Sequence, residues 1–302
     1  MVINSFKYCA PTTLEEACSF LYDQGEEAKL LAGGQSLIPL LKLNLIKPRY
    51  VVDLKRIPDL SFISLDQSED ALEIGALTTH SEIVRSSLVC HFTPLLAETA
   101  LGIGHPLIRN RGTIGGSLCH CDPAADYCPT MLVLEAEMTV VGSGGVTRTV
   151  SSKDFIKGTF ETDLRRGELL KKVRIKNSNK ENEATGYSIK KLTLGHGDFP
   201  LIVVSVLLRM KKDSRRIENI AIGLAGVSDK AFRVGEVEKY LLEQPEPSGQ
   251  HFELAAKKAA DLSTPQPDAE VSASYKSRMI QVLTRRALDE AYRRSIATTG
   301  GM

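Results

Sequence analysis

The sequence predicts an α+β fold built from more than one structural unit, and three observations support this prediction. The chain has 302 residues, of which 42% are hydrophobic, so it can bury a substantial core. Short strand patterns alternate with amphipathic helix patterns along most of its length. A polar, asparagine-rich segment at residues 176–183 separates two such regions and is the best candidate for a domain boundary.

Residues 1–55 predict a compact βαβαβ unit, the first lobe. A capping-box pattern at Thr13-Leu14-Glu15-Glu16 predicts a helix start, and Gly25 predicts its end. A second, shorter helix is predicted at residues 36–43. The predicted strands occupy residues 4–8, 29–32 and 51–54.

Residues 56–176 predict a second lobe with mixed secondary structure. Strands are predicted at 61–65 and 71–75, helices at 79–86 and 93–101, a long loop at 102–111, and a helix that ends within 132–135. Residues 138–141 and 146–150 predict a hairpin, because Gly142-Ser143-Gly144-Gly145 lies between them.

Residues 183–295 predict a C-terminal α+β domain. Its strands are predicted at 186–192, 201–210 and 217–225, and its helices at 234–242, 250–262 and 274–295. The last helix is amphipathic, and its arginines predict a solvated face. They are Arg285, Arg286, Arg293 and Arg294.

Composition excludes several classes of protein. The formal net charge of +1 gives no electrostatic reason to expect binding to nucleic acid or to an anionic membrane. The longest apolar runs fall short of the roughly 18 residues that a membrane span needs. The first residues lack the basic region and apolar core of a signal peptide, so a cytoplasmic protein is expected.

Two paired-glycine segments carry most of the chemical information. They are Ala32-Gly33-Gly34-Gln35-Ser36 and Thr113-Ile114-Gly115-Gly116-Ser117. Paired glycines allow positive φ and let backbone amides approach an anion closely, and a helix start favours negative charge. Two such segments predict two contacts to one pyrophosphate. Both are interpreted as surface loops, so bulky replacements at Gly33 or Gly115 are expected to abolish cofactor retention without preventing folding.

The cysteines do not predict a metal site. Three of the six, Cys119, Cys121 and Cys128, cluster around His120 and Asp122, but no Cys-x₂-Cys pair occurs. An iron–sulfur cluster would need four thiolates. Reduced thiols that line a loop are the favoured interpretation, with a structural metal as the alternative.

Common catalytic and nucleotide motifs are absent. Gly102-Ile103-Gly104 begins like a dinucleotide fingerprint, but Leu107 occupies the position of the third glycine. The first glycine segment lacks the lysine of a P-loop, and no serine-nucleophile or zinc-protease motif occurs. No catalytic residue is therefore predicted. A site with few acid–base groups is typical of a redox cofactor, because the cofactor supplies the chemistry.

The chain closely resembles the FAD-binding medium subunits of molybdenum hydroxylases, the carbon monoxide dehydrogenase and xanthine dehydrogenase family. The resemblance covers nearly the whole chain, in the family's order. The matching segments are Ala32 to Pro39, Arg109 to Ser117, Asp122 to Asp126, Gly167 to Leu170, Tyr187 to Lys190 and Gly197 to Pro200.

The resemblance implies a two-lobed FAD-binding domain of the vanillyl-alcohol-oxidase type plus a C-terminal α+β domain. FAD would lie between the lobes, with Ile103 near the adenine, Asp126 near the ribityl and phosphate region, and Leu169 and Leu170 beside the isoalloxazine. Lys190 would contact FAD from the C-terminal domain. The other implied contacts are Lys29, Leu31, Ala32, Gly33, Gly34, Gln35, Ser36, Leu37, Thr113, Gly115, Gly116, Ser117 and Asp122.

Three departures from the family pattern bear on the site. Gln35 replaces a common histidine, and Ser117 replaces a common asparagine or aspartate, although both keep hydrogen-bonding capacity. Residues 192–196 replace an arginine-rich stretch, which affects the flavin potential or the access of the acceptor. The cysteine-rich insertion of the branch that reduces aromatic CoA thioesters is missing.

The resemblance implies an electron-transfer subunit. Partners would be a large molybdopterin-binding subunit and a small subunit with two [2Fe–2S] clusters, in a dimer of heterotrimers. The substrate (carbon monoxide, an aldehyde, a purine or an N-heterocycle) and the acceptor (a quinone, NAD, a carrier or oxygen) stay open. A stand-alone FAD oxidase and a nucleotide-binding interaction module are the alternative functions.

Overall fold

A computed structural model describes residues 4–178, 182–195, 197–212 and 215–299. The first lobe contains a three-stranded parallel sheet in the order β1-β3-β2. Its elements are β1 (Lys7–Cys9), α1 (Leu14–Gln24), β2 (Ala28–Leu31), α2 (Leu37–Lys42) and β3 (Tyr50–Asp53). The Thr13 hydroxyl caps α1 by accepting from the Glu16 amide, and Gly25, at φ +54°, ends the helix as predicted.

The second lobe is built on a five-stranded antiparallel sheet in the order β4-β5-β10-β6-β7. The strands are β4 (Ile63–Asp66), β5 (Ala71–Gly75), β6 (Glu137–Val141), β7 (Thr147–Ser151) and β10 (Leu169–Lys176), with a separate hairpin of β8 (Ile156–Gly158) and β9 (Glu161–Thr162). The helices are α3 (His80–Arg85), α4 (Ser87–Phe92), α5 (Pro94–Gly102), α6 (Pro106–Arg109), α7 (Ile114–His120), α8 (Tyr127–Val133) and α9 (Ser152–Phe155).

The C-terminal domain has a four-stranded antiparallel sheet in the order β11-β12-β13-β14. The strands are β11 (Glu183–Leu192), β12 (Ile202–Lys211), β13 (Ile217–Ala225) and β14 (Phe232–Arg233). The helices are α10 (Gly235–Leu242), α11 (Gly249–Asp261) and α12 (Ala273–Thr299). This combination of sheets and helices confirms the predicted α+β class.

The second lobe and the C-terminal domain each contain a large apolar core. One fills the second lobe around Tyr127 and Phe155, and the other fills the C-terminal domain around Phe252 and Leu288. A smaller cluster contains Ala17 and Cys18 of the first lobe together with second-lobe residues such as Val141, so the two lobes share apolar contacts.

Several local predictions were wrong. Residues 102–111 are not one loop, because Pro106 pre-organises the first turn of α6. The predicted solvated arginine face is interrupted at Arg294, which forms an ion pair with Glu98 of the second lobe at 2.8 Å and lies over the Tyr187 ring.

None of the helices with described positions has the length and hydropathy that crossing a bilayer requires.

Candidate cofactor site

The two glycine segments, which belong to different lobes, are in direct contact. A Cβ on Gly33 would lie 2.1 Å from the carbonyl oxygen of Arg111 and 2.7 Å from the Cα of Gly112. A Cβ on Gly116 would lie 3.4 Å from the Cβ of Ala32. Gly33 can approach the backbone of Arg111 and Gly112 this closely only because it lacks a side chain, so the seam between the lobes runs along the first segment and residues 111–116.

The first segment joins β2 to α2 and presents unused backbone donors. Gly34 has φ +74°, which favours glycine, and its carbonyl accepts the Ile38 amide at 3.0 Å. Within the described part of the chain, the amides of residues 33–36 donate to no other group, and the Ser36 hydroxyl has no partner. Gln35 is exposed, and its side-chain amide donates to the Gly33 carbonyl at 3.3 Å. This segment therefore offers a cluster of donors.

The second segment differs from its predicted form, because both glycines lie in the first turn of α7 and not in a loop. The Ile114 amide donates to the Thr78 carbonyl at 3.0 Å, and the Gly115 amide donates to the Ala76 carbonyl at 2.9 Å. The Gly116 amide is capped by the Thr113 hydroxyl at 3.0 Å. These three amides are already satisfied, so the segment does not offer the paired donors that the sequence predicted.

Close packing explains the glycine at position 115. A Cβ there would lie 2.6 Å from both the Cβ and the carbonyl oxygen of Ala76. Gly33, Gly34 and Gly115 are all buried. The expectation that both segments are surface connections is therefore wrong, because each is pressed against backbone from another part of the chain.

A buried histidine supports the second segment from behind. The His80 amide donates to the Gly112 carbonyl at 3.0 Å, and its Nδ1 lies 3.0 Å from the Tyr127 hydroxyl. Burial, with a smaller contribution from the charge of Arg109, lowers the pKa of His80 to about 4. The imidazole is therefore neutral at pH 7. No local sequence pattern links His80 to Tyr127, which lies 47 residues away.

Asp126, directly before Tyr127, is paired with a lysine from the C-terminal domain. The Lys191 ammonium lies 2.9 Å from Asp126 Oδ1 and donates to the Gly102 carbonyl at 2.5 Å. Asp126 is only 6% exposed. Burial raises the pKa of Asp126, and Lys191 offsets part of that increase. This contact joins the C-terminal domain to the second lobe beside the predicted site.

Lys190, the lysine predicted to contact FAD, lies elsewhere. Its ammonium pairs with Glu290 on α12. Successive side chains of a strand point to opposite faces, so Lys190 and Lys191 on β11 cannot both face Asp126. The Lys190 contact with FAD stays a prediction, and the sequence does not tell which face of β11 meets the second lobe.

Leu169 and Leu170 enter different apolar clusters. Leu169 packs in the cluster shared by the two lobes, whereas Leu170 packs in the core of the second lobe. Since they are adjacent on β10, one flat ring can contact only one of the two side chains directly. The contact of Leu169 and Leu170 with the isoalloxazine stays a prediction.

The remaining predicted contacts lie around the two segments. Lys29 is exposed on β2, and Leu31 ends that strand beside Gly34, while Leu37 begins α2. Ile103 is half-buried, and its carbonyl accepts from Arg109 at 3.1 Å. Asp122 accepts the Ala124 amide at 2.9 Å, and the Ser117 hydroxyl has no partner among the described residues.

The cysteines do not form a metal centre in the described ranges. All six are free thiols, and no group of three or more potential ligands is present there. Burial raises the pKa of Cys119 to about 12, which opposes the thiolate form that a metal needs. Of residues 192–196, the structure describes 192–195, and His196 lies outside the described residues.

The donors at the seam fit a dinucleotide diphosphate. The amides of residues 33–36 and the hydroxyls of Ser36 and Ser117, which have no partner within the described ranges, are groups that bind phosphate oxygens. The positive φ of Gly34 turns the backbone within this donor cluster. The arrangement therefore suits the diphosphate of FAD, with donors drawn mostly from the first lobe.

Comparison with known proteins agrees with this interpretation. Residues 4–177 match the family described as the FAD binding domain in molybdopterin dehydrogenase. Residues 187–291 match the carbon monoxide dehydrogenase flavoprotein C-terminal domain.

Individual relatives match over nearly their full length. The chain is 33% identical to the glyceraldehyde dehydrogenase medium chain of Sulfolobus acidocaldarius, over 94% of this chain and 98% of that one. It is 34% identical to the carbon monoxide dehydrogenase medium chain of Hydrogenophaga pseudoflava, over 97% and 99%. A solved structure of carbon monoxide dehydrogenase from that organism, lacking the Mo-pyranopterin moiety, superposes with a TM-score of 0.91 and covers 97% of this chain and 99% of that chain at 34% identity. The chain therefore belongs to the FAD-binding medium subunits of the molybdenum hydroxylases.

Proposed function

We propose that this chain relays electrons through FAD from the [2Fe–2S] clusters of a small subunit to an external acceptor. Substrate would be oxidised on a large molybdopterin-binding subunit of the same complex. The observation that carries this proposal is the contact between the two glycine segments at the lobe seam, where the amides of residues 33–36 donate to no group among the residues that the structure describes.

The proposed roles of the side chains follow from their partners. The amides of residues 33–36 and the hydroxyls of Ser36 and Ser117 bind the diphosphate. Lys191 and Asp126 face FAD from the other side of the seam, with Lys191 in the role first assigned to Lys190. Either Leu169 or Leu170 lies against the ring. The outer contacts are Lys29, Leu31, Ala32, Gln35, Leu37, Ile103, Thr113, Gly116 and Asp122.

Bound FAD supplies the redox chemistry, since it can accept single electrons and donate a pair. This chain's own groups bind and orient it, and none of those around the seam is placed as a base. The Asp126 carboxyl is paired with Lys191. The His80 imidazole is buried against the Tyr127 hydroxyl, and its pKa of about 4 makes it a weak base. This arrangement favours an electron relay over a stand-alone oxidase, which needs a group to accept the substrate's proton.

We also propose that the substrate is selected by a partner subunit. Two relatives of nearly equal identity carry the names of dehydrogenases for unrelated molecules, glyceraldehyde and carbon monoxide. If the medium subunit never touches the substrate, the same subunit fold can serve both of these reactions.

The finer organisation belongs to the same proposal. The proposed domains are residues 1–55, 56–176 and 183–295, and the proposed assembly is a dimer of heterotrimers that works in the cytoplasm. The six free cysteines agree with a reducing compartment. Mass measurement of the purified complex tests the stoichiometry.

Flavin absorbance at 450 nm tests the relay directly. The chain reconstituted with FAD should be reduced by dithionite but not by glyceraldehyde, carbon monoxide or an N-heterocycle. The complex with both partner subunits should be reduced by its native substrate. Substrate-driven bleaching in the isolated chain would support the oxidase instead, and nucleotide binding without flavin would support an interaction module.

A further inference from the structure

Helix α1 lies between the two lobes that form the cofactor seam. One side of it packs on the first-lobe sheet, where Leu21 shares a cluster with Ala28 and Val52. Its other side contacts the second lobe, where the Cys18 thiol lies 3.6 Å from the Val141 carbonyl. Because β2 leads directly into residues 32–36, a shift of α1 would move the first glycine segment relative to the second.

The N-terminal end of α1 is attached to the tip of the β6–β7 hairpin. Glu15 accepts the Gly144 amide at 2.8 Å and the Ser143 hydroxyl at 3.2 Å. The bonded residues are 128 and 129 positions apart in the sequence, and these contacts cross the lobe boundary.

The C-terminal end of α1 is capped by an arginine from the second lobe. Arg166 Nε donates to the Tyr22 carbonyl at 2.6 Å, and its Nη2 donates to the Asp23 carbonyl at 3.1 Å. Its guanidinium also lies 5.6 Å from the centre of the Tyr22 ring. A cation that binds the last carbonyls of a helix satisfies groups that have no partner inside the helix.

The loop that carries Arg166 is itself fixed by Arg148. The Arg148 guanidinium binds both carboxylate oxygens of Glu168, at 2.8 and 2.6 Å, and Asp163 Oδ2 at 2.7 Å. Gly167, at φ +81°, brings the loop against α1, since a Cβ there would lie 2.9 Å from the Tyr22 Cβ. The pKa values of Glu168 and Asp163 are lowered by their hydrogen bonds to Arg148, so both carboxylates stay charged.

We propose that Arg166, held in place by Arg148, is a positioning residue for FAD binding, because it fixes α1 and thereby the spacing of the two glycine segments. Neither arginine needs to touch the cofactor. The inference rests on the proposed placement of FAD at the lobe seam. When only the closed arrangement binds, the apparent Kd rises in proportion to the fraction of molecules that leave it.

FAD titration of the full chain, followed by flavin fluorescence, tests this role. We expect Arg166→Ala to raise the Kd at least tenfold, and Arg166→Lys to recover part of the loss, because an ammonium still donates to the helix carbonyls. Glu15→Ala, at the other end of α1, should also weaken binding. The matched control is Arg49→Ala, which removes an exposed ion pair with Glu27 inside the first lobe.

A second control separates positioning from general stability. Val237→Ala weakens the C-terminal core without touching either lobe. The proposal is overturned if Val237→Ala raises the Kd as much as Arg166→Ala, or if Arg166→Ala and Glu15→Ala both stay within twofold of wild type. If Arg166→Ala does not fold, Glu15→Ala decides, and a Kd within twofold of wild type in that variant overturns the proposal. Gly34→Ala, in the first glycine segment, tests the proposed placement of FAD independently of the contacts at the ends of α1.

Discussion

The two glycine pairs look alike in sequence but have different structural roles. The pair at Gly33 and Gly34 lies in a connection whose amides have no other partner in the described chain. The pair at Gly115 and Gly116 opens a helix whose first amides are all bound to the protein. One segment is a donor cluster, and the other is a packing surface that holds the donor cluster in position.

This difference shows that a glycine pattern has at least three physical causes. Gly34 is needed for its positive φ, Gly33 for close approach to the Arg111 carbonyl, and Gly115 for close packing on Ala76. Of these three causes, only the positive φ of Gly34 acts directly on the backbone conformation of the donor cluster. Substitutions at the three positions should therefore fail in distinguishable ways.

The largest effect is expected from Gly115→Val. Its Cβ would overlap Ala76 backbone and side chain, so we expect a loss of about 3 kcal/mol or more in unfolding free energy. Thermal melting of the apo chain measures this loss. Gly249→Val is the control, since a Cβ at that position meets nothing within 4 Å. A Gly115→Val chain that melts like wild type and loses only FAD would restore the loop interpretation.

Gly34→Ala should act mainly on the cofactor. An alanine at φ +74° costs about 1–2 kcal/mol, and its Cβ would lie 2.7 Å from Ile38 Cδ1, so the donor segment must shift. We expect FAD affinity to fall at least tenfold. Gly249→Ala, where an added Cβ meets nothing within 4 Å and which lies in the C-terminal domain, is the control. Equal FAD affinity in the two variants would remove the first segment from the site.

Lowering the pH should reduce the stability of the folded chain through His80, which supports the second glycine segment. The pKa of His80 is about 4 in the folded chain and near 6.5 when unfolded, so the unfolded chain binds the extra proton. Stability should therefore fall as the pH drops from 6.5 towards 4, by about 2 kcal/mol at pH 5. Urea unfolding at pH 7 and pH 5 measures this, and His80→Gln should flatten the dependence. The exposed His91→Gln is the control; an unchanged slope in His80→Gln would contradict the assignment.

The smallest effects are expected from the two unpartnered hydroxyls. A single neutral hydrogen bond contributes about 0.5–1.5 kcal/mol, so Ser36→Ala and Ser117→Ala should each raise the FAD Kd by roughly 3- to 10-fold. Ser64→Ala, exposed on β4, provides the baseline in the same titration. No change at Ser117 with a clear change at Ser36 would assign the diphosphate entirely to the first lobe.

Much of the fold was predictable because its signals are local. The cap at Thr13, the glycine-rich hairpin turn before Val146 and the three long C-terminal strands all follow from short patterns. The order of the second-lobe sheet was not predicted, since β10 inserts between β5 and β6 through contacts distant in sequence. Helix α4 was also missed because Ser86 both ends α3 and caps α4, leaving no gap between them.

The candidate site was predictable as a set of segments but not as a geometry. Residues 32–36 and 113–117 are neighbours in the fold, and their joint contact with one pyrophosphate stays a prediction. Whether their amides are free depends on Thr78 and Ala76, which no motif connects to them. The choice between Lys190 and Lys191 depends on which face of β11 meets Asp126, and that is a property of domain packing.

Hydrogen exchange of backbone amides, measured with and without FAD, tests the difference between the two segments most directly. Amides of residues 33–36 should exchange rapidly in the apo chain and become strongly protected when FAD binds. Amides of residues 114–116 should be protected in both states, because Thr78, Ala76 and Thr113 already accept from them. Protection that appears at residues 114–116 only with FAD, while residues 33–36 stay unchanged, would contradict the account.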